Sequence, residues 1–298
     1  MAAGSDSSVL VFDVGGSHVS AAICTDGTYQ LGQVVSAPHP VEQSSESFMD
    51  LIYRLGVLAL NGGNGVDGAE LAIPGPFDFS AGVSHMRHKL PYLYGVDLRS
   101  GIAARFGWKP GQVRFLLDSA AFLLGEIYAG EARGIHRSVG ITLGTGIGSA
   151  FAVDGRVVTE GPGVPAGGEI WNLPYEGGIV EDSLSSRAIQ KNYQQRTGRL
   201  WTVAEIAAAT VSDPDAAAVF AEFGRHLGLV LRVKLGEFGP LVVVIGGGIS
   251  RSSQLFLPAA IKELEGLAME LRVSQLLDRA PLAGAAAAWF EKARCSAE

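Results

Sequence analysis

The sequence predicts an α/β fold that contains an internal duplication. Apolar, β-branched segments alternate with segments whose apolar residues recur at helical spacing, a pattern typical of α/β architecture. A run of three short strands joined by turns occurs twice, at residues 8–14, 19–24 and 29–36 and again at residues 138–143, 149–153 and 156–159. In each run the first turn is rich in glycine and the second is Asp-Gly. Two β-meanders of matched layout indicate that one unit is repeated.

The remaining segments lie between and after these meanders. Further strands are predicted at residues 70–73, 112–117 and 241–245. Helices are predicted at residues 46–61, 98–106, 119–129, 185–196, 203–209, 214–238, 255–267 and 284–293, and a Gly-rich loop at 161–178. We expect a smaller N-terminal domain over residues 1–113, with a closing helix at about 281–298 packing back on it, and a larger domain over residues 114–280.

The composition excludes several classes of protein. The chain has 298 residues, 47% of them hydrophobic, which is enough for two domains or one large one. A net charge of −7 disfavours a nucleic-acid binder, which needs a basic face. No apolar run reaches the roughly 18 residues of a membrane span. The two cysteines, Cys24 and Cys295, stand near opposite ends and fit a reducing compartment. We therefore expect a cytoplasmic protein without a nucleic-acid or membrane partner.

The first Gly-rich turn could hold a phosphate group. Asp13 ends an apolar strand, and Gly15, Gly16 and Ser17 follow within four residues. Exposed backbone N–H groups in such a turn bind phosphate oxygens, and a neighbouring carboxylate can orient a hydrated Mg²⁺ ion. The alternative is a tight hairpin in which Asp13 only caps the turn.

Two later turns have a similar composition. The second meander contains Gly144, Thr145, Gly146 and Gly148, without the Gly-Lys-Ser/Thr of a Walker A loop and followed by a strand instead of a helix. If the two meanders are repeats, their turns could clamp one polyphosphate between them. A third turn, of Gly246, Gly247 and Gly248, follows a buried strand and precedes a helix that would begin near residues 250–253. A plain strand-to-helix connection is the alternative for this last turn.

Acidic residues supply candidates for the reacting side of a site. Asp118 follows the strand at 112–117 and opens a helix, which is where ligands bind in α/β sheets. A carboxylate there could accept the proton of an attacking hydroxyl, or it could simply be a helix N-cap. Glu169 and Glu181 flank a turn-rich loop that contains Trp171 and Asn172. Such residues often hold sugar hydroxyls, and a solvated loop is the alternative.

Six motifs occur in the order seen in ROK-family sugar kinases, and the chain resembles that family over nearly its whole length. The motifs are DVGGS at 13–17, PGP at 74–76, Asp118 with Gly-Glu at 125–126, LGTGIGSA at 143–150, GGEI at 167–170 and IGGGIS at 245–250. The resemblance implies the two-domain actin-like ATPase fold, related to ribonuclease H, in which a β-meander opens each half. It also implies a homodimer that uses ATP and Mg²⁺ to phosphorylate a sugar.

The resemblance assigns a role to each candidate residue. Asp118 would be the catalytic base. The phosphates and the metal would be held by Asp13 (through water to Mg²⁺), Gly15, Gly16 and Ser17, and on the other side by Gly144, Thr145, Gly146 and Gly148. The adenosine would lie against Gly246, Gly247 and Gly248. The sugar would contact Gly75, Pro76, Lys89, Leu117, Asp118, Glu169, Asn172 and Glu181.

Four departures from the family pattern concern the acceptor side. Leu117 stands where the family has Asn, Asn172 where it has His, and Lys89 where it has Asn. The cysteine-rich zinc motif is absent, so we expect no zinc site. The stretch at 85–89 is unusually basic, which favours an anionic or modified sugar unless the stretch is only a solvated loop. These changes leave the phosphate-side motifs in place.

Three functions remain open at this stage. The first is an ATP-dependent sugar kinase. The second is a catalytically degenerate sensor of sugar or nucleotide. The third is an actin-like kinase for a non-sugar acceptor. A DNA-binding repressor, which the family also includes, is disfavoured because only about a dozen residues precede Asp13.

Overall fold

Strands and helices alternate along the first part of the chain, as the apolar patterning predicts. The computed structural model describes residues 7–26, 30–63 and 65–295. The strands up to residue 129 are β1 (Ser8–Val14), β2 (His18–Thr25), β3 (Val35–Pro38), β4 (Ala69–Ile73), β5 (Phe77–Asp78), β6 (Val83–Ser84) and β7 (Val113–Leu117). The helices are α1 (Ser45–Leu60), α2 (Leu98–Phe106) and α3 (Asp118–Ala129).

The rest of the chain begins with the second meander. The strands of this part of the chain are β8 (Arg137–Leu143), β9 (Ile147–Val153), β10 (Arg156–Val158), β11 (Pro174–Tyr175), β12 (Gly178–Ile179), β13 (Val242–Gly246) and β14 (Glu270–Val273). The helices of this part of the chain are α4 (Val180–Ser183), α5 (Ser186–Thr197), α6 (Val203–Ala209), α7 (Pro214–Leu235), α8 (Ser253–Glu263) and the closing helix α9 (Ala280–Cys295). No helix within the described ranges is long and apolar enough to cross a membrane.

Two five-stranded sheets have the same topology. The first has the order β3-β2-β1-β4-β7 and the second β10-β9-β8-β13-β14. In each, three antiparallel strands form the meander; one further strand pairs in parallel with the first strand of the meander, and a second pairs in parallel with that strand. This match agrees with the internal duplication that the sequence predicts.

The chain divides into two compact units, each with one of these sheets. One unit runs to Ala129 and resumes at Asp278, and the other is Gly130–Leu277. The change of unit follows Ala129 instead of the residue near 113 expected from the sequence, because α3 packs against the closing helix α9.

The first unit buries both faces of its sheet. One face packs on α1 and α2 around residues such as Phe12, Leu51 and Ile102. The other face packs on α9 through a cluster that contains Val11, Cys24 and residues of α9. Because successive side chains of a strand point to opposite faces, strands covered on both sides are apolar throughout. This explains the continuous apolar run of β1 from Val9 to Phe12.

The second unit is built around one large cluster. The inward residues of β8, β9 and β13 pack against α5, α7 and α8, with Phe220 and Phe256 fully buried. The 22-residue helix α7 begins at Pro214, with Asp213 as its N-cap and Asp213 Oδ1 accepting the Asp215 N–H at 3.0 Å. Both residues are standard helix-start signals.

The sequence misplaced several element ends. The prediction of a strand over residues 29–36 is wrong: β3 is Val35–Pro38, and Leu31 makes only an isolated bridge to Cys24. Gly32 instead donates its N–H to the Ile23 carbonyl at 2.9 Å. Strand β9 begins at Ile147, inside the predicted Gly turn, and β14 was not predicted. Gly27 of the predicted Asp-Gly turn lies outside the described residues.

Candidate active site

Three parallel strands of the first unit end at one edge of their sheet. Asp13 on β1 is in register with Ala72 on β4, and Ile73 on β4 with Leu117 on β7. The segments that continue from these strands are therefore neighbours: Asp13 and its Gly turn, the Pro-Gly-Pro that contains Gly75 and Pro76, and Asp118. Ligands of α/β sheets bind at this edge. The structure thus brings together the candidates that the sequence places in the first unit.

Acidic groups concentrate at this edge. Burial, together with the smaller effects of the nearby carboxylates of Asp118 and Asp278, raises the pKa of the Asp13 carboxyl to about 7. Both effects disfavour the charged form. A bound cation would offset both effects.

Asp118 stands where β7 passes directly into α3. It is the first residue of α3, and its Oδ1 accepts the N–H of Ser119 at 2.8 Å. A carboxylate has several acceptor positions, so this bond leaves capacity for another proton donor. The side chain is partly exposed. A capping role for Asp118 therefore does not conflict with a role as base.

The turn that contains Gly15, Gly16 and Ser17 is ordered by a histidine that the sequence did not single out. Gly15 donates its N–H to the His18 carbonyl at 3.0 Å, and Gly16 and Ser17 are exposed. His39 Nε2 donates to the Gly15 carbonyl at 2.8 Å. The only local signal for this contact is the unusual Pro-His-Pro at 38–40.

In the second unit the turn at 144–148 is held by three contacts. Gly144 donates its N–H to the Gly146 carbonyl at 2.9 Å, and the Gly144 carbonyl accepts both the N–H and the hydroxyl of Ser186 at 2.8 Å. Thr145 is exposed at the tip, while Gly148 already pairs with Thr142 in the sheet.

Glu181 lies directly against this turn. Its Oε2 accepts the N–H of Ile147 at 3.2 Å, and its Oε1 pairs with Arg187 at 3.0 Å. A Cβ atom on Gly146 would overlap the Glu181 carboxylate, so a larger residue there would displace that side chain. The sequence assigned Glu181 to the sugar and the glycines to phosphate, and the structure places these groups in contact.

The third Gly turn lies beside the second. Strand β13 runs parallel to β8, with Gly246 opposite Thr142. Gly247 has a φ of 82°, and a Cβ atom there would lie 2.7 Å from the backbone nitrogen of Leu143. Gly248 has open space around it and begins a 3₁₀ turn that leads into α8. The sequence predicts that a helix begins near residues 250–253 after this turn, and α8 begins at Ser253.

Glu169 and Asn172 stand on the loop before Glu181. The hydroxyl of Ser149 donates to the Gly168 carbonyl and accepts the Ile170 N–H, which fixes the loop on β9. Glu169 Oε2 accepts the indole N–H of Trp171 at 3.0 Å. The Trp171 carbonyl accepts the N–H of Glu181 at 3.0 Å. Glu169 and Glu181 therefore flank Trp171, and Asn172 is exposed beside it.

The remaining two candidates belong to the first unit. Leu117 ends β7 and is partly buried, directly before Asp118. Lys89 is exposed and lies on the loop before residues 91–93, in a groove that also contains Gly16 and Ser17. The candidates thus form one group in each unit.

Comparison with known proteins identifies the family. The ROK family profile matches residues 9–292, nearly the whole chain. This chain belongs to the ROK family.

Two proteins illustrate its similarity to other ROK proteins. A glucokinase of Thermotoga maritima is 27% identical over 308 aligned positions, which cover 92% of this chain and 94% of the relative. The structure of a ROK hexokinase from Thermus thermophilus has 28% identity and a TM-score of 0.76, covering 94% of this chain and 96% of the other.

A third comparison concerns the fold alone. A ROK glucokinase from Streptomyces griseus, solved with glucose and AMPPNP, gives a TM-score of 0.78 at 23% identity, covering 94% of this chain and 98% of the other. The ROK neighbours confirm the predicted two-domain actin-like ATPase fold.

Proposed function

We propose that this ROK protein is a carbohydrate kinase that transfers the terminal phosphoryl group of ATP to a sugar hydroxyl, with Asp118 as the general base. Sugar phosphorylation at the level of the family is supported by the full-length similarity to a glucokinase and a hexokinase. The observation that carries the finer proposal is the position of Asp118. It stands at the sheet edge where Asp13 and the Pro-Gly-Pro segment also lie.

Phosphoryl transfer asks little covalent chemistry of the protein. It requires an aligned acceptor hydroxyl, neutralisation of phosphate charge, and a group that receives the hydroxyl proton. Asp118 Oδ1 is occupied by the Ser119 N–H, which orients the carboxylate. In our proposal the remaining acceptor positions of Asp118 take the proton of the sugar hydroxyl as the new P–O bond forms.

The residues of the first unit fit magnesium held together with phosphate. Carboxylate oxygens are hard donors of the kind that Mg²⁺ prefers, usually with several waters retained. The described residues contain no group of three His, Cys, Asp or Glu side chains able to hold a metal ion by themselves. Asp13 would therefore act through water on an ion that the phosphates also hold, and that ion would neutralise phosphate charge.

In the proposal the nucleotide contacts backbone more than side chains. Exposed N–H groups at Gly16 and Ser17, and those at Thr145 and Gly146, would bind the phosphates. The adenosine would lie against the turn at 246–248, where Gly247 allows close approach. A fold neighbour was solved with glucose and AMPPNP, which supports a site for both kinds of ligand in this fold.

The acceptor would be held by groups from the candidate list. Gly75 and Pro76 follow β4, and Leu117 precedes the base. Glu169, Asn172 and Glu181 would bind hydroxyl groups, although Glu181 also accepts the Ile147 N–H. A cytoplasmic location, which the composition suggests, and a homodimeric state, which the family resemblance implies, belong to the same proposal.

The variant Asp118→Asn tests the base. Asparagine keeps the side-chain oxygen that accepts the Ser119 N–H, so stability should change by less than about 1 kcal/mol. Loss of the base should lower kcat by about 10²- to 10⁴-fold, while ATP affinity stays near that of the wild type. We would measure ADP release with Mg-ATP across hexoses, N-acetyl sugars and sugar acids, and nucleotide binding by calorimetry.

A matched control separates chemistry from capping. Asp97 is another carboxylate at the start of a helix: it is the N-cap of α2 and its side chain accepts the Ser100 N–H at 3.0 Å, so Asp97→Asn should leave kcat unchanged. If Asp118→Asn keeps activity within about threefold of the wild type, the base assignment is wrong. Sugar-dependent binding without any ADP release in the wild type would instead support the degenerate sensor.

A further inference from the structure

A groove of about 360 Å³ lies beside the first Gly turn, within the first unit. Small-molecule sites have volumes of about 300–1,000 Å³, so the groove has room for a sugar-sized ligand. Its polar lining consists of Gly16, Ser17, His39, Gln43, Lys89 and Tyr92, and prolines and aliphatic residues form the rest.

One wall of the groove is rigidly built. The His39 N–H donates to the Ser17 carbonyl at 3.2 Å, and the ring Nε2 donates to the Gly15 carbonyl at 2.8 Å. Because a carbonyl oxygen only accepts, Nε2 carries a proton. The Tyr92 hydroxyl lies 3.4 Å from Nδ1 of the same ring. The Phe48 ring stacks against the His39 ring, with the two centroids 6.1 Å apart.

The groove carries positive charge and no negative charge. Lys89 is the only Lys or Arg among its lining residues, and no carboxylate lines it. The Lys89 ammonium makes no hydrogen bond or ion pair with other described residues, and it is exposed. Its neighbour Arg87 is already engaged, with the guanidinium 4.0 Å from the Tyr94 ring centroid and hydrogen-bonded to the Tyr94 hydroxyl. Of the basic stretch, therefore, Lys89 is available for a ligand in this groove.

The groove is linked to the edge that carries the base. Gly16 and Ser17 follow Asp13 at the end of β1. The segment that leads to Lys89 is tied to the same edge, because His85 donates its N–H to the Pro76 carbonyl at 3.0 Å. A ligand in the groove therefore lies on the side of the sheet where Asp13 and Asp118 stand.

We propose that this groove binds a negatively charged group of the acceptor, and that the acceptor is an anionic sugar whose carboxylate or phosphate ester pairs with Lys89. The inference rests on the proposed function. The ammonium, a mobile point charge with three donors, adapts to either anion. Neutral sugars leave Lys89 without a partner and bind more weakly.

The test compares matched sugars and matched variants. Binding of D-glucuronate, D-gluconate and D-glucose 6-phosphate is measured by calorimetry beside neutral D-glucose, and ADP release is measured with the same compounds. Lys89→Gln removes the charge from the groove. Arg87→Gln removes an equal charge from the same loop but outside the groove, and is the control.

We expect at least one anionic sugar to bind more tightly than D-glucose. An ion pair with an exposed ammonium is equivalent to about two- to fivefold in affinity, and Lys89→Gln should lose that factor for the anion alone. The preference should shrink between about 0.05 and 0.5 M salt, since exposed charges are screened. Tighter binding of the sugar acids assigns a carboxylate, and tighter binding of the phosphate ester assigns a phosphate.

The outcomes distinguish a failure of this inference from a failure of the proposed kinase function. If no anionic sugar binds more tightly than D-glucose, or if Lys89→Gln and Arg87→Gln weaken binding equally, the inference is overturned even when neutral sugars are phosphorylated. If an anionic sugar binds through Lys89 but no compound releases ADP, the groove assignment stands and the kinase proposal fails. Calorimetry decides the inference without requiring turnover.

Discussion

Glu70 provides a test of how the first unit is packed. It lies on the central strand β4, 4% exposed, on the face that packs against α9. Burial raises the pKa of its carboxyl to about 8, against the opposing effect of positive charge on Arg114, its register neighbour on β7. At neutral pH the native protein therefore keeps Glu70 protonated, while the unfolded chain releases that proton.

The sign and size of the effect follow from this difference. Because the native state holds the proton more tightly, the stability that Glu70 contributes is full below about pH 4.5 and is lost as the pH rises to about 8. At about 1.4 kcal/mol for each pH unit, this interval corresponds to about 5 kcal/mol. That figure is an upper limit, since any rearrangement that admits water reduces it.

The variant Glu70→Gln places a neutral side chain of the same size at this position. Its free energy of unfolding should equal that of the wild type near pH 4.5 and exceed it progressively up to about pH 8. Urea denaturation followed by circular dichroism at half-unit pH intervals from 4.5 to 9 measures the difference. The titration of Asp13 is common to both proteins and cancels in the comparison.

A surface acid serves as the control. Glu46 pairs with Arg105 but is 74% exposed, so Glu46→Gln should change stability by less than about 1 kcal/mol at any pH. A difference between Glu70→Gln and the wild type that stays constant from pH 5 to 9 would refute the reasoning. A wild type that becomes the more stable protein at pH 9 would show that Arg114 ion-pairs with Glu70.

Two further predictions concern the candidate site. Gly247→Ala should destabilise the protein by about 2–3 kcal/mol, because its φ of 82° is strained for alanine and the new Cβ atom would overlap the backbone of β8. Thermal unfolding measures this loss, and Gly248→Ala, which has open space, should show little of it. Binding of Mg-ATP should strengthen as the pH rises through about 7, where Asp13 loses its proton. Calorimetry at pH 6, 7 and 8 measures the affinity for Mg-ATP. An Asp13→Asn variant with the same pH dependence as the wild type would contradict the prediction.

The elements of this protein were largely readable from local sequence. The helices at Leu98–Phe106 and Val203–Ala209 have the predicted bounds, and β1 is the predicted strand. Apolar spacing and Gly turns act over a few residues, so such features need no long-range information. The wrong strand prediction at 29–36 also rested on local composition. The residues there suit a strand, but Leu31 forms only an isolated bridge to Cys24.

The site was only partly predictable. The ordered motifs pointed to Asp13, Asp118 and the Gly turns, which are close to strand ends in the sequence itself. His39 and Tyr92 carried no comparable motif, because their role depends on contacts with a turn about 24 residues away or more. The contact of Glu181 with the Ile147 N–H is likewise formed across 34 residues.

The sequence by itself determined the α/β class, the duplication and the identity of the residues that could do chemistry, because periodicity and turn composition are local properties. Only the tertiary structure decided which of those residues are neighbours. Parallel pairing of β1, β4 and β7 brings Asp13 and Asp118 to one edge. Folding also decided that Glu70 is buried and that Lys89, not Arg87, lines the groove. Burial, pKa and partnership depend on atoms that are distant in sequence, so no local pattern encodes them.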